Sequence, residues 1–102
     1  QCHCSAVGDD PSKFPTYDNC TTACAGNDAE ICGGDFGIFR LINVYSFEKN
    51  YKFLGCFGDD AGARVLSGNI TEDDVTMTTA ACAELCSGSV YFGTEDGREV
   101  RT

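Results

Sequence analysis

Sulfur is the most concentrated reactive chemistry in this chain. Its 102 residues carry eight cysteines (Cys2, Cys4, Cys20, Cys24, Cys32, Cys56, Cys82 and Cys86), a single histidine, His3, and 16 Asp and Glu. Cysteines at such density in a short chain either pair with one another or hold zinc. Structural zinc sites favour Cys-x-x-Cys loops, which let two thiolates share one tetrahedron, and the sequence has none. Cys2-His3-Cys4 resembles a ligand pair only superficially, and His3 reads as a strand side chain. All eight cysteines are therefore assigned to disulfides and no metal site is expected, which places the chain in an oxidising compartment, secreted or at the cell surface.

Spacing restricts the pairing. Cys20 and Cys24, like Cys82 and Cys86, are four residues apart. On a helix that separation leaves Cβ atoms about 5–6 Å apart, whereas a disulfide needs about 4 Å. Each of these cysteines should thus reach a different segment. Cys2 and Cys4 share one face of a strand and are too far apart to join each other. Spacing fixes the partners no further.

The other reactive groups point away from catalysis. One histidine and no nucleophile-elbow serine exclude a triad, and a glycosidase-type carboxylate pair needs a cleft that a small cysteine-rich domain seldom builds. No catalytic residue, cofactor or enzyme activity is assigned. The doublets Asp9-Asp10, Asp59-Asp60 and Asp73-Asp74 lack the spaced Asp-x-Asp-x-Asp-Gly pattern of a calcium loop and read as solvated. A formal net charge of −9 argues against nucleic acid and anionic lipid, both of which need clustered Lys and Arg. Neutral, hydroxyl-rich partners remain open. Two sequons, Asn69-Ile70-Thr71 and Asn19-Cys20-Thr21, are candidate sites for covalent glycans. For polysaccharide, Tyr17, Tyr51 and Tyr91 are the candidate stacking residues, with Asp59, Asp60 or Asn27 near them in the pattern. Phe92 is a further candidate, but Tyr51, Phe53, Phe57 and Phe92 all sit in expected strands, where such rings more often fill a small core.

These residues need elements to hold them. No run of 18 apolar residues is present, so no membrane span is expected, and the start shows no apolar leader. A polar loop over 5–15 precedes a short helix expected from Thr16 to about Ala25, closed by Gly26-Asn27 and carrying Cys20 and Cys24. The branched and aromatic stretch Phe36 to Tyr45 reads as a strand, as do Tyr51 to Phe57 and Ser89 to Glu95. A second helix is expected from Thr78 to Gly88, rich in alanine and carrying Cys82 and Cys86. The fold class is α+β: a small disulfide-rich domain with a short antiparallel sheet and two short helices.

The order Tyr51-Lys52-Phe53-Leu54-Gly55-Cys56-Phe57, Asp60, Arg64, Leu66, Met77-Thr78, Cys82-x-x-x-Cys86 and Tyr91-Phe92-Gly93-Thr94-Glu95-Asp96-Gly97-Arg98-Glu99 resembles the first half of a WSC domain. Cys2-His3-Cys4, Cys20-x-x-x-Cys24, Gly26-Asn27, Cys32-Gly33-Gly34 and Val44-Tyr45 resemble its second half. Together they cover nearly the whole chain with the halves swapped: 1–46 is the C-terminal half, 47–50 a linker and 51–102 the N-terminal half. The resemblance implies an extracellular module of the kind found in fungal cell-wall stress sensors, secreted oxidases and animal receptors, one that associates with carbohydrate and is not itself an enzyme. His3 and Ser5 stand where the family tends to place an aromatic and a glycine. Glu99 to Thr102 overlays Gln1 to Cys4, with Val100 at a cysteine position.

Three arrangements fit two half-domains in this order: a circularly permuted monomer, head-to-tail completion by neighbouring copies, or a piece spanning two tandem domains. The last leaves apolar strand edges exposed in each half. Short linker and overlapping ends favour the second, a self-assembling, filament-like structural subunit built on heterologous contacts that need not close. A permuted, carbohydrate-binding monomer is the alternative.

Overall fold

The computed structural model describes residues 1–36, 39–47, 51–59, 64–72 and 76–95. Eight strands, one α-helix and one 3-10 turn are found among them. In chain order these are β1 (Cys2–Cys4), the turn Pro11–Lys13, β2 (Ala23–Cys24), β3 (Asn27–Ile31), β4 (Gly34–Phe36), β5 (Phe39–Ser46), β6 (Lys52–Asp59), β7 (Ile70–Thr71), α1 (Thr79–Leu85) and β8 (Tyr91–Glu95). The α+β expectation holds.

Six strands form an antiparallel sheet in the order β4-β5-β8-β1-β7, with β6 on the other side of β5. The apolar stretch expected as one strand from Phe36 is divided into β4 and β5, paired Gly34 with Leu41 and Phe36 with Phe39. β5 carries the sheet. Its residues pair with β6 from Arg40 to Ser46 and with β8 from Ile42 to Ser46. β1 is inserted between β8 and β7, with His3 opposite Gly93 on one side and Ile70 on the other.

Two apolar clusters share this sheet. Ile42 and Val44 of β5 join Phe57, Val65 and Leu66 on one face. On the other, Cys2, Cys4, Met77, Cys82, Cys86 and Phe92 pack together beneath α1. Helix α1 starts where the sequence suggests: Thr78 has extended backbone angles and its side chain accepts the N–H of Ala81 at 3.1 Å. The helix ends early, with Cys86 as its C-cap and residues 86–88 in turns.

The helix expected from Thr16 to Ala25 does not form. The segment is irregular and ends in the two-residue strand β2, paired with β3. Its hydrogen bonds run to another segment instead of four residues back: Thr22 N–H donates to Gly33 O at 3.0 Å and Cys32 N–H to Thr22 O at 2.7 Å. Two adjacent β-branched threonines weaken a helix there. Gly34 then lies so close to the segment that a Cβ at that position would sit 2.1 Å from Asn19 O. The described chain thus has one α-helix and a 3-10 turn in place of two helices.

Candidate functional site

All eight cysteines are paired, with Cys2–Cys82, Cys4–Cys86, Cys20–Cys56 and Cys24–Cys32 as the bridges. Neither Cys-x-x-x-Cys pair closes on itself. Three of the four bridges join residues 1–46 to residues 51–95, and the backbone of Gln1 exchanges two hydrogen bonds with Glu95, from the Gln1 amine to Glu95 O and from Glu95 N–H to Gln1 O. The segments 1–46 and 51–95 are thus cross-linked to one another.

Aromatic residues concentrate on the α1 side of β5, β6 and β8. Phe92 is fully buried and stacks on Tyr45 with ring centroids 4.9 Å apart and planes 12° from parallel. Tyr51 stands edge-on to both rings, at 5.6 Å from Tyr45 and 5.4 Å from Phe92, and Phe53 lies 5.4 Å from Tyr45. This stack fixes the outer rings while leaving Tyr51 41% and Phe53 54% exposed. They flank a groove of about 390 Å³ whose polar lining is Glu30, Asn43 and Thr79. Glu30 is already anchored, accepting Thr79 N–H at 3.1 Å. Asn43 is not saturated: its amide nitrogen donates to Ile31 O at 3.1 Å, while its buried Oδ1 has no protein partner among the described residues.

The three tyrosines singled out from sequence are not brought together. Tyr51 alone lines this groove. Tyr91 lines a second groove of about 670 Å³, with Phe14, Phe47, Leu54, Val90 and the buried hydroxyl of Ser46. Tyr17 packs against Gly58, where a Cβ would meet its ring at 3.0 Å. Phe57 and Phe92 belong to the core, as expected, but Phe53 does not. Sequence reasoning missed every other residue of the groove beside Tyr51, Phe53 and Asn43 among them. The signal lies in the strand pairing, since the register shift between Val44 and Tyr45 brings Tyr45 opposite Phe53.

The acidic doublets are only partly solvated. The Asp9 carboxylate accepts Ala6 N–H at 2.8 Å, Ser67 N–H at 2.7 Å and Ser67 Oγ–H at 2.8 Å, tying two loops together. Burial works to raise its pKa, but the bonds from Ser67 and Ala6 outweigh it and hold the carboxyl below its usual range. Asp10 caps the 3-10 turn through Ser12. Asp59 is buried, far from its expected place beside a sugar-stacking ring, and is bound by Val65 N–H at 2.9 Å and Arg64 Nη1 at 3.1 Å. Asn27 is exposed on β3. Asp60, Asp73, Asp74, Val100 and the linker residues 48–50 lie outside the described residues.

Asn69 and Asn19, the sequon asparagines, are both on the exposed surface. Asn69 immediately precedes the edge strand β7, and Cys20 of the second sequon is bridged to Cys56. No helix among the described residues is long and apolar enough to cross a membrane.

Fold and bridges together define a small disulfide-stapled α+β module. By sequence it is WSC-like: it is 30% identical over 105 residues to a WSC domain-containing protein of Arthroderma benhamiae, a match covering 93% of this chain and 14% of that protein. It is also 42% identical over 48 residues to the xylosyltransferase oxt of Drosophila melanogaster, covering 45% of this chain and 6% of that protein. The chain thus spans a small part of each relative's length. No known family profile and no solved structure matches it. Four disulfides and the WSC-like sequence are consistent with an extracellular or cell-surface location.

Proposed function

We propose that this chain is a secreted, non-catalytic carbohydrate-binding module, a WSC-like domain with its halves in swapped order that folds as a monomer. The observation that carries the reading is the groove beside Tyr51 and Phe53. Exposed rings supply apolar faces for a pyranose, and Asn43 lines the same groove with a side-chain oxygen that has no hydrogen-bond partner among the described residues. The carboxylate of Glu30 and the hydroxyls of Tyr45 and Tyr51 stand in the same groove. A net charge of −9 suits a neutral polysaccharide rather than an anionic one.

Intramolecular bridging of the two halves favours the permuted monomer over head-to-tail completion, which would place the same bridges between chains. Asn69 and Asn19 are proposed as N-glycan sites on account of their exposure. Pull-down with insoluble β-glucan, chitin and mannan tests the function. We expect retention on at least one polymer that falls at least tenfold in Tyr51→Ala and in Asn43→Ala. Retention unchanged in both variants overturns the site, and no retention on any polymer or glycan array, with a ladder of disulfide-linked species on non-reducing electrophoresis, overturns the function in favour of self-assembly.

A further inference from the structure

Among the described residues that line the groove beside Tyr51, Glu30 is the only charged one, and no Lys or Arg stands with it. Its Oε1 accepts Thr79 N–H at 3.1 Å, which leaves Oε2 without a hydrogen bond among the described residues. Lys52, the cation nearest in sequence to Phe53, pairs with Ser46, the neighbour of Tyr45, and so stands on the opposite face of the sheet. Glu30 is half-buried beside the rings, where water screens its charge less than at a free surface.

The uncharged lining has the same polarity. Asn43 is 5% exposed and its amide nitrogen is engaged with Ile31 O at 3.1 Å, so the oxygen end of its dipole, without a partner among the described residues, is the unbalanced one. The faces of Tyr45, Tyr51 and Phe53 are electron-rich and attract a cation placed within about 6 Å of a ring centroid. Phe92 holds these rings in place: Tyr45 stacks on it and Tyr51 stands edge-on to both, so the outer rings are ordered before a ligand arrives. Carboxylate, unpartnered carbonyl and aromatic faces all stabilise one kind of ligand, a positive charge on a body that can lie against a ring. A neutral sugar meets the rings but leaves Glu30 unbalanced, and an anionic sugar is repelled. A protonated 2-amino sugar meets both, because its pyranose covers a ring face while its ammonium donates to the carboxylate.

We propose that the groove selects protonated amino sugars, the free-amine units of a partly deacetylated N-acetylhexosamine polymer, with the ammonium at Glu30 and the pyranose against Tyr51 or Phe53. This rests on the sugar-binding reading of the same groove and narrows its ligand. The net charge of −9 adds a general attraction for such a polymer, distinct from the site.

Calorimetry on the disulfide-intact chain compares oligomers of glucosamine and of N-acetylglucosamine of equal length, at low salt and mildly acidic pH, where the amine is protonated. We expect the amine oligomer to bind about tenfold tighter, with the difference shrinking as salt is added. Glu30→Gln keeps an acceptor for Thr79 N–H and should bring the two oligomers to within about twofold of each other. Asp18→Asn, the same charge change at an exposed position outside the groove, should preserve the ratio. Tyr51→Ala should weaken both oligomers. Equal or weaker binding of the amine oligomer by the native chain overturns the amine preference and leaves sugar binding intact. So does an equal loss in Asp18→Asn and Glu30→Gln, which makes the attraction one of net charge alone. Binding of neither oligomer, nor of the polymers named above, overturns the sugar-binding reading itself, and the preference falls with it.

Discussion

The two Cys-x-x-x-Cys segments share a spacing and nothing else. Cys82 and Cys86 lie on a helix, and both reach the same strand, β1. Four helical residues advance about 6 Å and two strand residues about 6.6 Å, so a helix pair four apart matches a strand pair two apart, and two bridges form side by side. Cys20 and Cys24 diverge, one to Cys56 of β6 and the other to Cys32, eight residues along. No single element offers that pair matching partners, and the segment follows its bridges instead of a helix. What a cysteine spacing builds is decided by the geometry of the partner.

The contrast can be broken most severely at the paired bridges. With one bridge between β1 and α1 intact, the second closes only a loop of about eight residues, worth about 2.5 kcal/mol in chain entropy. The first closes a loop of about 80 residues and is worth about 4.5 kcal/mol. Removing Cys4 and Cys86 as alanines should therefore cost about 2.5 kcal/mol. Removing all four cysteines should cost about 7 kcal/mol, more than two single removals added. Urea denaturation of the three species measures this, and additivity would refute the shared-loop account.

On the other side of the comparison, Gly34→Ala drives a Cβ into the backbone at Asn19, where nothing flexible can yield. It should cost about 3 kcal/mol, at the top of the usual overpacking range. Gly88→Ala, with nothing within 4 Å, should stay within about 0.5 kcal/mol. Thermal melts of both variants compare directly.

His3 adds a pH dependence to the β1 side. Burial pushes its pKa down from 6.5 to about 4, against the pull of Asp59 and with help from Arg64. The native state thus resists a proton that the unfolded chain accepts. The contribution is constant above pH 6.5, and stability falls from there as the pH drops toward about 4, by up to about 3 kcal/mol. In His3→Gln the protein should lose that part of its acid slope between pH 6.5 and 4, read from urea midpoints. A steeper slope in the variant would reverse the sign argued here.

The smallest effect concerns helix caps. Thr78→Ala removes the bond to Ala81 N–H and should cost about 1 kcal/mol. Thr16→Ala, at the position where the sequence suggests a cap and no helix follows, should cost no more than about 0.5 kcal/mol.

Legibility from sequence follows the same divide. Helix α1, β6 and β8 could be read because Thr78, the alanines and the aromatic alternation act locally. The division of the stretch from Phe36 into two strands and the irregular path of Thr16 to Ala25 depend on partners distant in the chain, Leu41 facing Gly34 and Cys56 bridging Cys20. Bridges could be excluded by distance but not assigned. Of the candidate groove, Tyr51 could be named from type and pattern, whereas Asn43 needed the knowledge that its oxygen is buried without a partner. Asp59 belongs to an acidic doublet by sequence, and only the fold encloses it with His3 and Glu95.

The position of β1 inside the sheet, between β8 and β7, has a consequence in time. Cys2 and Cys4 precede their partners by 80 and 82 residues. At ribosomal rates of about 5–20 residues per second they wait on the order of 4–16 seconds for those partners to be made. Cys20, Cys24 and Cys32 are synthesised during that interval, and Cys24–Cys32 can close almost at once. The strand inserted between β8 and β7 is thus the last to be locked, and correct oxidation depends on an isomerase or a reducing delay that keeps the early thiols from one another.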